Sequence, residues 1–248
     1  MTAASKRISP KIGQTTIIKR KQINDDLLLM WVEKPEGFSF KAGQYCTIGV
    51  NGIERAYSIV SAPFEDSLEL FVELVPPPEG SLTPMLYDLR AGDKLSIRPR
   101  AKGIFTFDPG YANQLFVATV TGVVPYISII RQYLYERQAG QHIYVLVGAS
   151  YQDDHAYCRE LEGIATERPD LLAFVPTVSR PQEERNAGWT GETGRVNAIV
   201  ESYVEKWGLS AQDTLIYACG NPGMIEDVKA RMTPGGFVVK EERFWKDD

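Results

Sequence analysis

The sequence predicts a two-domain β + α/β protein: an N-terminal antiparallel six-stranded β-barrel, then a Rossmann-like α/β domain on a parallel sheet. Three observations carry this. Before Asp108-Pro109-Gly110, short apolar runs are separated by turn residues, the pattern of a barrel or sandwich. After it, strands that are apolar throughout alternate with helical segments, the pattern of a parallel sheet covered on both faces. The 248 residues suffice for two ordinary domains, and 44% apolar with 24% charged residues fit a globular chain with a sizeable core. The expected division is 1–108 and 109–248.

In the first half the runs are TTIIKRKQI from Thr15, LLLMWVEKP from Leu27, QYCTIGV from Gln44, RAYSIVSA from Arg55, LELFVELV from Leu68 and KLSIRPR from Lys94. The insertion Pro76 to Asp93 reads as a loop plus a short helix starting after Thr83-Pro84, because proline suits a first helical turn. In the second half, QLFVATV from Gln114 is a strand. PYISIIRQYLYERQ from Pro125 is a helix, with Gly140 as its expected stop. HIYVLVGAS from His142, LLAFVPTVSR from Leu171 and DTLIYACG from Asp213 continue the sheet. The helices between and after them start near Asp153, Gly194 and Gly223, and GFVVKEERFW from Gly236 is a last strand.

Composition narrows the function classes. A net charge of -5 argues against a nucleic-acid binder. Cys46, Cys158 and Cys219 form no CxxC pair and point to a reducing compartment, so a cytoplasmic protein is expected. Two histidines make a histidine metal site improbable, and no metal is expected. The N-terminus lacks the apolar stretch of a secretory signal, and no run approaches the ~20 residues of a membrane span. The halves differ in charge: residues 1–108 are close to neutral, and the acidic excess lies in the remainder.

An open parallel sheet binds ligands beyond the C-terminal ends of its strands. Those ends read Thr119-Val120-Thr121-Gly122, Gly148-Ala149-Ser150, Thr177-Val178-Ser179-Arg180 and Cys219-Gly220-Asn221-Pro222-Gly223. All offer small or polar residues, as a nucleotide lying across the sheet edge requires. Ser179 and Arg180, with Arg185 and Arg195 nearby in sequence, supply the donors that a ribose 2′-phosphate needs. In the barrel half, ERAYSIVSAP is the compact cluster. A tyrosine can stack on a flat ring, an arginine can bind a diphosphate, and a serine hydroxyl can bond a ring nitrogen. Strand alternation puts Arg55, Tyr57 and Ile59 on one face and Ala56, Ser58 and Val60 on the other.

Taken in order, Arg55-Ala56-Tyr57-Ser58, Gly80-Ser81-Leu82-Thr83, Thr121-Gly122 to Pro125, Ser179-Arg180 and Cys219-Gly220-Asn221-Pro222 resemble the ferredoxin–NADP reductase family. The tail KEERFW resembles the aromatic C-terminus of its bacterial branch, and the match spans roughly residues 14–245. The resemblance implies FAD on the barrel and NADP(H) on the α/β domain. It implies that Tyr57 stacks on the isoalloxazine, Ser58 lies near flavin N5 and Cys219 lies beside the nicotinamide. Arg55, Ala56, Gly80, Ser81, Leu82 and Thr83 would complete the FAD site, with Phe244 or Trp245 covering part of it. Thr121, Gly122, Ser179, Arg180, Arg195, Gly220, Asn221 and Pro222 would hold NADP. The implied reaction is hydride transfer between NADP(H) and flavin N5, and single-electron exchange with ferredoxin or flavodoxin.

A chain with no cluster-binding cysteine set leaves any iron–sulfur centre to the partner. A basic patch of Lys19, Arg20, Lys21 and Lys102 on the FAD half is the expected docking face for that acidic partner. A monomer is expected. Two alternatives keep the scaffold: an NAD(P)H:flavin reductase or oxygenase reductase component, and a flavin-binding electron-transfer subunit without NADP chemistry. The departure from the family pattern is Val120, which replaces a glycine in the turn under the nucleotide. A β-branched residue resists positive φ, so the turn is expected either not to need it or to have shifted.

Overall fold

The computed structural model describes residues 12–243. In the first half, β1 (Gly13–Gln22), β2 (Leu27–Glu33), β3 (Tyr45–Val50), β4 (Ile53–Ser58), β5 (Ser67–Glu73) and β6 (Lys94–Ile97) form one antiparallel sheet in the order β4-β3-β6-β1-β2-β5. The sheet curls until its ends meet, where the Val60 amide donates to the Glu69 carbonyl at 2.9 Å and nearly closes a barrel. Helix α1 (Leu82–Asp88) buries Leu82 and Leu86 against the barrel core and begins before the expected start after Thr83-Pro84.

The second half holds β7 (Asn113–Thr119), α2 (Val124–Tyr135), β8 (His142–Ala149), α3 (Cys158–Glu167), β9 (Leu172–Val178), β10 (Glu192–Thr193), α4 (Val196–Lys206), β11 (Thr214–Gly220), α5 (Pro222–Met232) and β12 (Val238–Arg243). The sheet is parallel throughout, in the order β10-β9-β8-β7-β11-β12. The order reverses at β7, so the crevice between the ends of β7 and β11 is the site this topology offers a ligand. No helix among the described residues is long and apolar enough to cross a membrane.

Two expectations change. α2 ends at Tyr135, well before Gly140. Arg137, at φ +53°, takes the left-handed position, and the Arg137 and Gln138 amides reach back to the Leu134 and Tyr133 carbonyls, both at 3.1 Å. This is a glycine-type helix stop made by an arginine. β10 was not expected; it is only two residues long and holds the loop before α4 on β9.

The halves share a continuous core. Leu29, Val60, Phe71 and Phe105 of the first half pack in one cluster with Tyr126, Ile127 and Tyr217 of the second. Polar bonds cross the same boundary. Ser128 Oγ donates to the Ser61 carbonyl at 2.7 Å, and Ser61 Oγ accepts from the Glu69 amide at 2.7 Å. Beside them, Arg131 of α2 reaches Glu69 at 2.8 Å, Glu65 at 3.4 Å and Glu160 of α3 at 2.7 Å. Tyr157 donates to the other Glu69 oxygen at 2.9 Å. Burial alone would lower the Arg131 pKa, and the carboxylates of Glu160 and Glu69 outweigh it and raise it. The two halves are thereby fixed to each other next to the clefts they carry.

Candidate functional site

On the barrel side, a cavity of about 300 Å³ is lined by Arg55, Ala56, Tyr57, Ser58, Gly80, Ser81, Leu82 and Thr83. All the described residues expected at the flavin site therefore lie on one wall system. Alternation does not separate Arg55–Ser58 as the sequence reading supposed. β4 ends the sheet order and pairs only with β3, so consecutive residues meet the cavity along its free edge. Arg55 donates only to the neighbouring Glu54 carbonyl at 2.8 Å, while the Glu54 carboxylate is held by Arg98 at 2.5 Å. Arg55 thus keeps its charge for a ligand among the described residues. The Thr83 hydroxyl is committed, accepting from the Val75 amide and donating to the Val75 carbonyl, both at 2.9 Å. Ser81 precedes α1 without a side-chain capping bond, which leaves its hydroxyl available.

On the sheet side, a cleft of about 670 Å³ lies at the strand ends where the order reverses. Thr121, Ser179, Arg180, Arg195, Gly220 and Asn221 line it. Arg180 is held ready by Tyr151, whose hydroxyl accepts from Nη1 at 2.9 Å and donates to Glu183 at 2.5 Å. Arg195 precedes α4 and has no carboxylate partner among the described residues. The loop that presents it is pinned to β9, because Thr177 Oγ1 donates to the Gly194 carbonyl at 2.8 Å and the Gly194 amide to Val178 at 2.8 Å. Arg185 takes another role: it stacks on Tyr151 at 3.8 Å and pairs with Asp153 at 2.8 Å, off the cleft wall. Asn197 and Asp227, which the sequence reading did not single out, also line the cleft. Asp227 is occupied by Asn197 at 2.6 Å and Arg231 at 2.7 Å, with Arg231 the leading cause holding its carboxyl below the usual range.

Gly122, Cys219 and Pro222 do not line either cavity. They belong to the frame behind it. A Cβ on Gly122 would sit 2.2 Å from the Cys219 carbonyl oxygen, and one on Gly220 would sit 2.3 Å from Thr119 Oγ1. These glycines let the ends of β7 and β11 interlock, and Thr119 Oγ1 accepts from the Asn221 amide at 2.8 Å across the join. The Cys219 thiol is fully buried, and burial, reinforced by Glu242, pushes its pKa up. Phe244 and Trp245 lie outside the described residues.

Val120 opens a short 3-10 turn over Val120–Val123 and adopts φ +41°. Neither sequence-based escape applies: the turn needs the left-handed conformation and a valine adopts it. Such backbone costs about 1–3 kcal/mol for a residue other than glycine. Val120 lines the large cleft and, with Val123, Val147, His155 and Phe174, a small cavity of about 10 Å³ beneath it; its side chain packs against the core cluster there, and that packing offsets the strain. Val120→Ala should therefore be less stable than Val120→Gly by about 1 kcal/mol, the reverse of the usual order, because alanine loses the packing and keeps the strain. Urea denaturation of the two variants checks it.

One pair escaped the sequence reading. Ser58 Oγ donates to Glu242 Oε2 at 3.2 Å, joining the barrel cavity wall to the last strand. Glu242 is the register partner of Cys219 across β11 and β12, so Ser58, Glu242 and Cys219 meet where the halves join. Burial raises the Glu242 carboxyl to about 7, against a smaller opposing effect of the Ser58 bond. The sequence signal was the adjacency of Glu242 to the aromatic tail, but its neighbours come only from strand pairing. The basic run expected to dock a partner is partly used inside the fold. Arg20 donates to the Tyr87 carbonyl at 3.0 Å and to that of Leu89, at the end of α1, and Lys19 lies 4.5 Å over the Trp31 ring.

Comparison with known proteins finds an oxidoreductase NAD-binding domain over residues 116–230. The chain is 36% identical over 208 residues to ferredoxin–NADP reductase B of Sorangium cellulosum, covering 79% of this chain and 81% of that protein. It is 30% identical to the flavodoxin/ferredoxin–NADP reductase of Escherichia coli, covering 86% of each. In fold it is similar to a ferredoxin NADP+ reductase from Neisseria gonorrhoeae solved with bound FAD and NADP, at a TM-score of 0.81 and 22% identity, over 96% of this chain and 100% of that one.

Proposed function

The chain belongs to the ferredoxin–NADP reductase family, and from that premise we propose that its barrel cavity holds FAD, its sheet-edge cleft holds NADP(H), and its electron partner is ferredoxin or flavodoxin. It is an oxidoreductase, and we divide it at Asp108 into an FAD half and an NADP half. The observation that carries the reading is the meeting of the two cavities: Glu73 and Thr121 line both. Two cofactors bound there would have their reacting rings brought together by the fold itself. When bound, FAD supplies a two-electron acceptor for the hydride of NADPH at N5 and a one-electron donor to the partner.

The residues present fit these groups. Arg55, without an ion-pair partner among the described residues, and the Ser81 hydroxyl suit the FAD diphosphate, and Tyr57 offers a flat face on the same wall. Ser179, Arg180 and Arg195 form a cationic and hydroxyl-bearing corner suited to a 2′-phosphate. The Ser58 hydroxyl donates to the Glu242 carboxyl at the junction, and buried Cys219 supports that wall from behind. The Val120 side chain occupies cleft volume at the turn.

Stopped-flow reduction by NADPH and by NADH, followed at the flavin band, tests the reading. NADPH should be strongly preferred. Arg180→Ala should weaken NADPH by about 10–100-fold, the worth of one charge-assisted contact, and leave NADH unchanged. Equal use of NADH by the wild type would remove the 2′-phosphate assignment. Val120→Gly should tighten NADP+ binding, read by calorimetry.

A further inference from the structure

The wall shared by the two cavities carries an unexpected charge. Glu73, at the end of β5, and Thr121, in the turn after β7, are the residues common to both linings, with Thr121 Oγ1 3.4 Å from Glu73 Oε2. No cation pairs with Glu73 among the described residues. The titratable groups that face it are Asp26 of the β1–β2 turn, Asp154 before α3 and Tyr87 of α1. Arg55, Arg180 and Arg195 line the same cavities but none of them forms an ion pair with Glu73; Arg185 is occupied by Asp153 and Asp154, and Asn24 bonds Asp154 at 2.9 Å across the domain boundary. The other acidic side chain of the large cleft, Asp227, is neutralised by Arg231. Glu73 is therefore an uncompensated carboxylate between the two places where phosphate-bearing cofactors would lie.

Building on the cofactor assignment above, we propose that Glu73 is an affinity-setting residue for the dinucleotide: its negative charge opposes the phosphates of NADP(H) and keeps binding weak enough for release. Glu73 is open to the cleft, yet desolvation by the protein around it leads the causes raising its pKa, ahead of the opposing Thr121 bond and the reinforcing Asp154 and Asp26. An added anion raises it further, so binding draws a proton from solvent onto the carboxylate, and affinity falls as pH rises. Thr121 holds the carboxylate toward the seam, and Val120 beside it carries the strained backbone, so charge and strain meet at one turn.

Calorimetric titration of NADP+ into the FAD-loaded protein tests this, comparing wild type with Glu73→Gln. At pH 8 and low salt the variant should bind about fivefold tighter, the worth of one charge across a wet cleft. The gap should narrow as pH falls and the carboxylate, whose pKa burial raises, takes up a proton, and it should shrink in high salt, as a screened Coulomb effect must. Wild-type binding should take up more protons than the variant's, read from buffers of different ionisation enthalpy. Equal or weaker binding by Glu73→Gln at pH 8 overturns the proposal while leaving the cleft assignment intact. Failure of the wild-type holoprotein to bind NADP+ at all overturns both.

Discussion

Arg131→Met is expected to destabilise the protein by about 3–5 kcal/mol, because it strands a buried carboxylate. Glu69 is 4% exposed and has two strong donors, Arg131 Nη1 at 2.8 Å and Tyr157 Oη at 2.9 Å. Removing the cation leaves a negative charge in the core with only a phenol to meet it. In a chain of this size that corresponds to a fall in Tm of roughly 10 °C. Adding Glu69→Gln to Arg131→Met should recover most of the loss, since the core then holds no unpaired charge. A deficit that persists in the double variant would mean that Arg131 acts through Glu160 and Glu65 instead. The cluster also joins β5 and the loop before it to α2 and α3, so the single variant should lose some alignment of the two clefts as well as stability.

Much of this fold is legible in the sequence because burial fixes period. The strand TLIYACG is apolar along most of its length, and it is buried on both faces as β11. The short apolar runs of the barrel, set apart by turn residues, likewise appear where expected. Misreadings cluster where partners decide. RAYS alternates as any strand does, but β4 ends the sheet order, and the free edge brings all four residues to one cavity. Gly140 looks like a helix stop, but α2 ends earlier, where Arg137 takes the left-handed position and backbone amides close the turn on the Tyr133 and Leu134 carbonyls. Val120 looks incompatible with its turn, and the hydrophobic floor under it holds it there. Arg20 reads as part of a basic surface, but three-dimensional proximity commits it to the end of α1.

The least legible residue, Glu242, carries the second large effect. Glu242→Gln is expected to slow flavin reduction by NADPH at pH 8 by about 10²-fold, the scale of one preorganised electrostatic contact. The ionised carboxylate bonds Ser58 on the barrel-cavity wall and lies beside buried Cys219 in the frame between the two cavities, from where its charge would act through the wall on the positive charge that the proposed hydride transfer would leave on the dinucleotide. The wild-type rate should therefore rise with pH through about 7, and the variant's should be flat. Stability should move the opposite way. Folding raises the Glu242 pKa to about 7 from 4.5, so its contribution is fully present below 4.5 and lost as pH climbs through 7. The loss is about 3 kcal/mol by linkage. Glu242→Gln escapes it, so the variant should be more stable than wild type at pH 8 and equal to it near pH 4. A residue kept only for packing would give the reverse, losing stability on substitution at every pH and leaving the rate profile unmoved. A variant that is slower and more stable at the same pH marks a charge held at a cost to the fold because the reaction needs it.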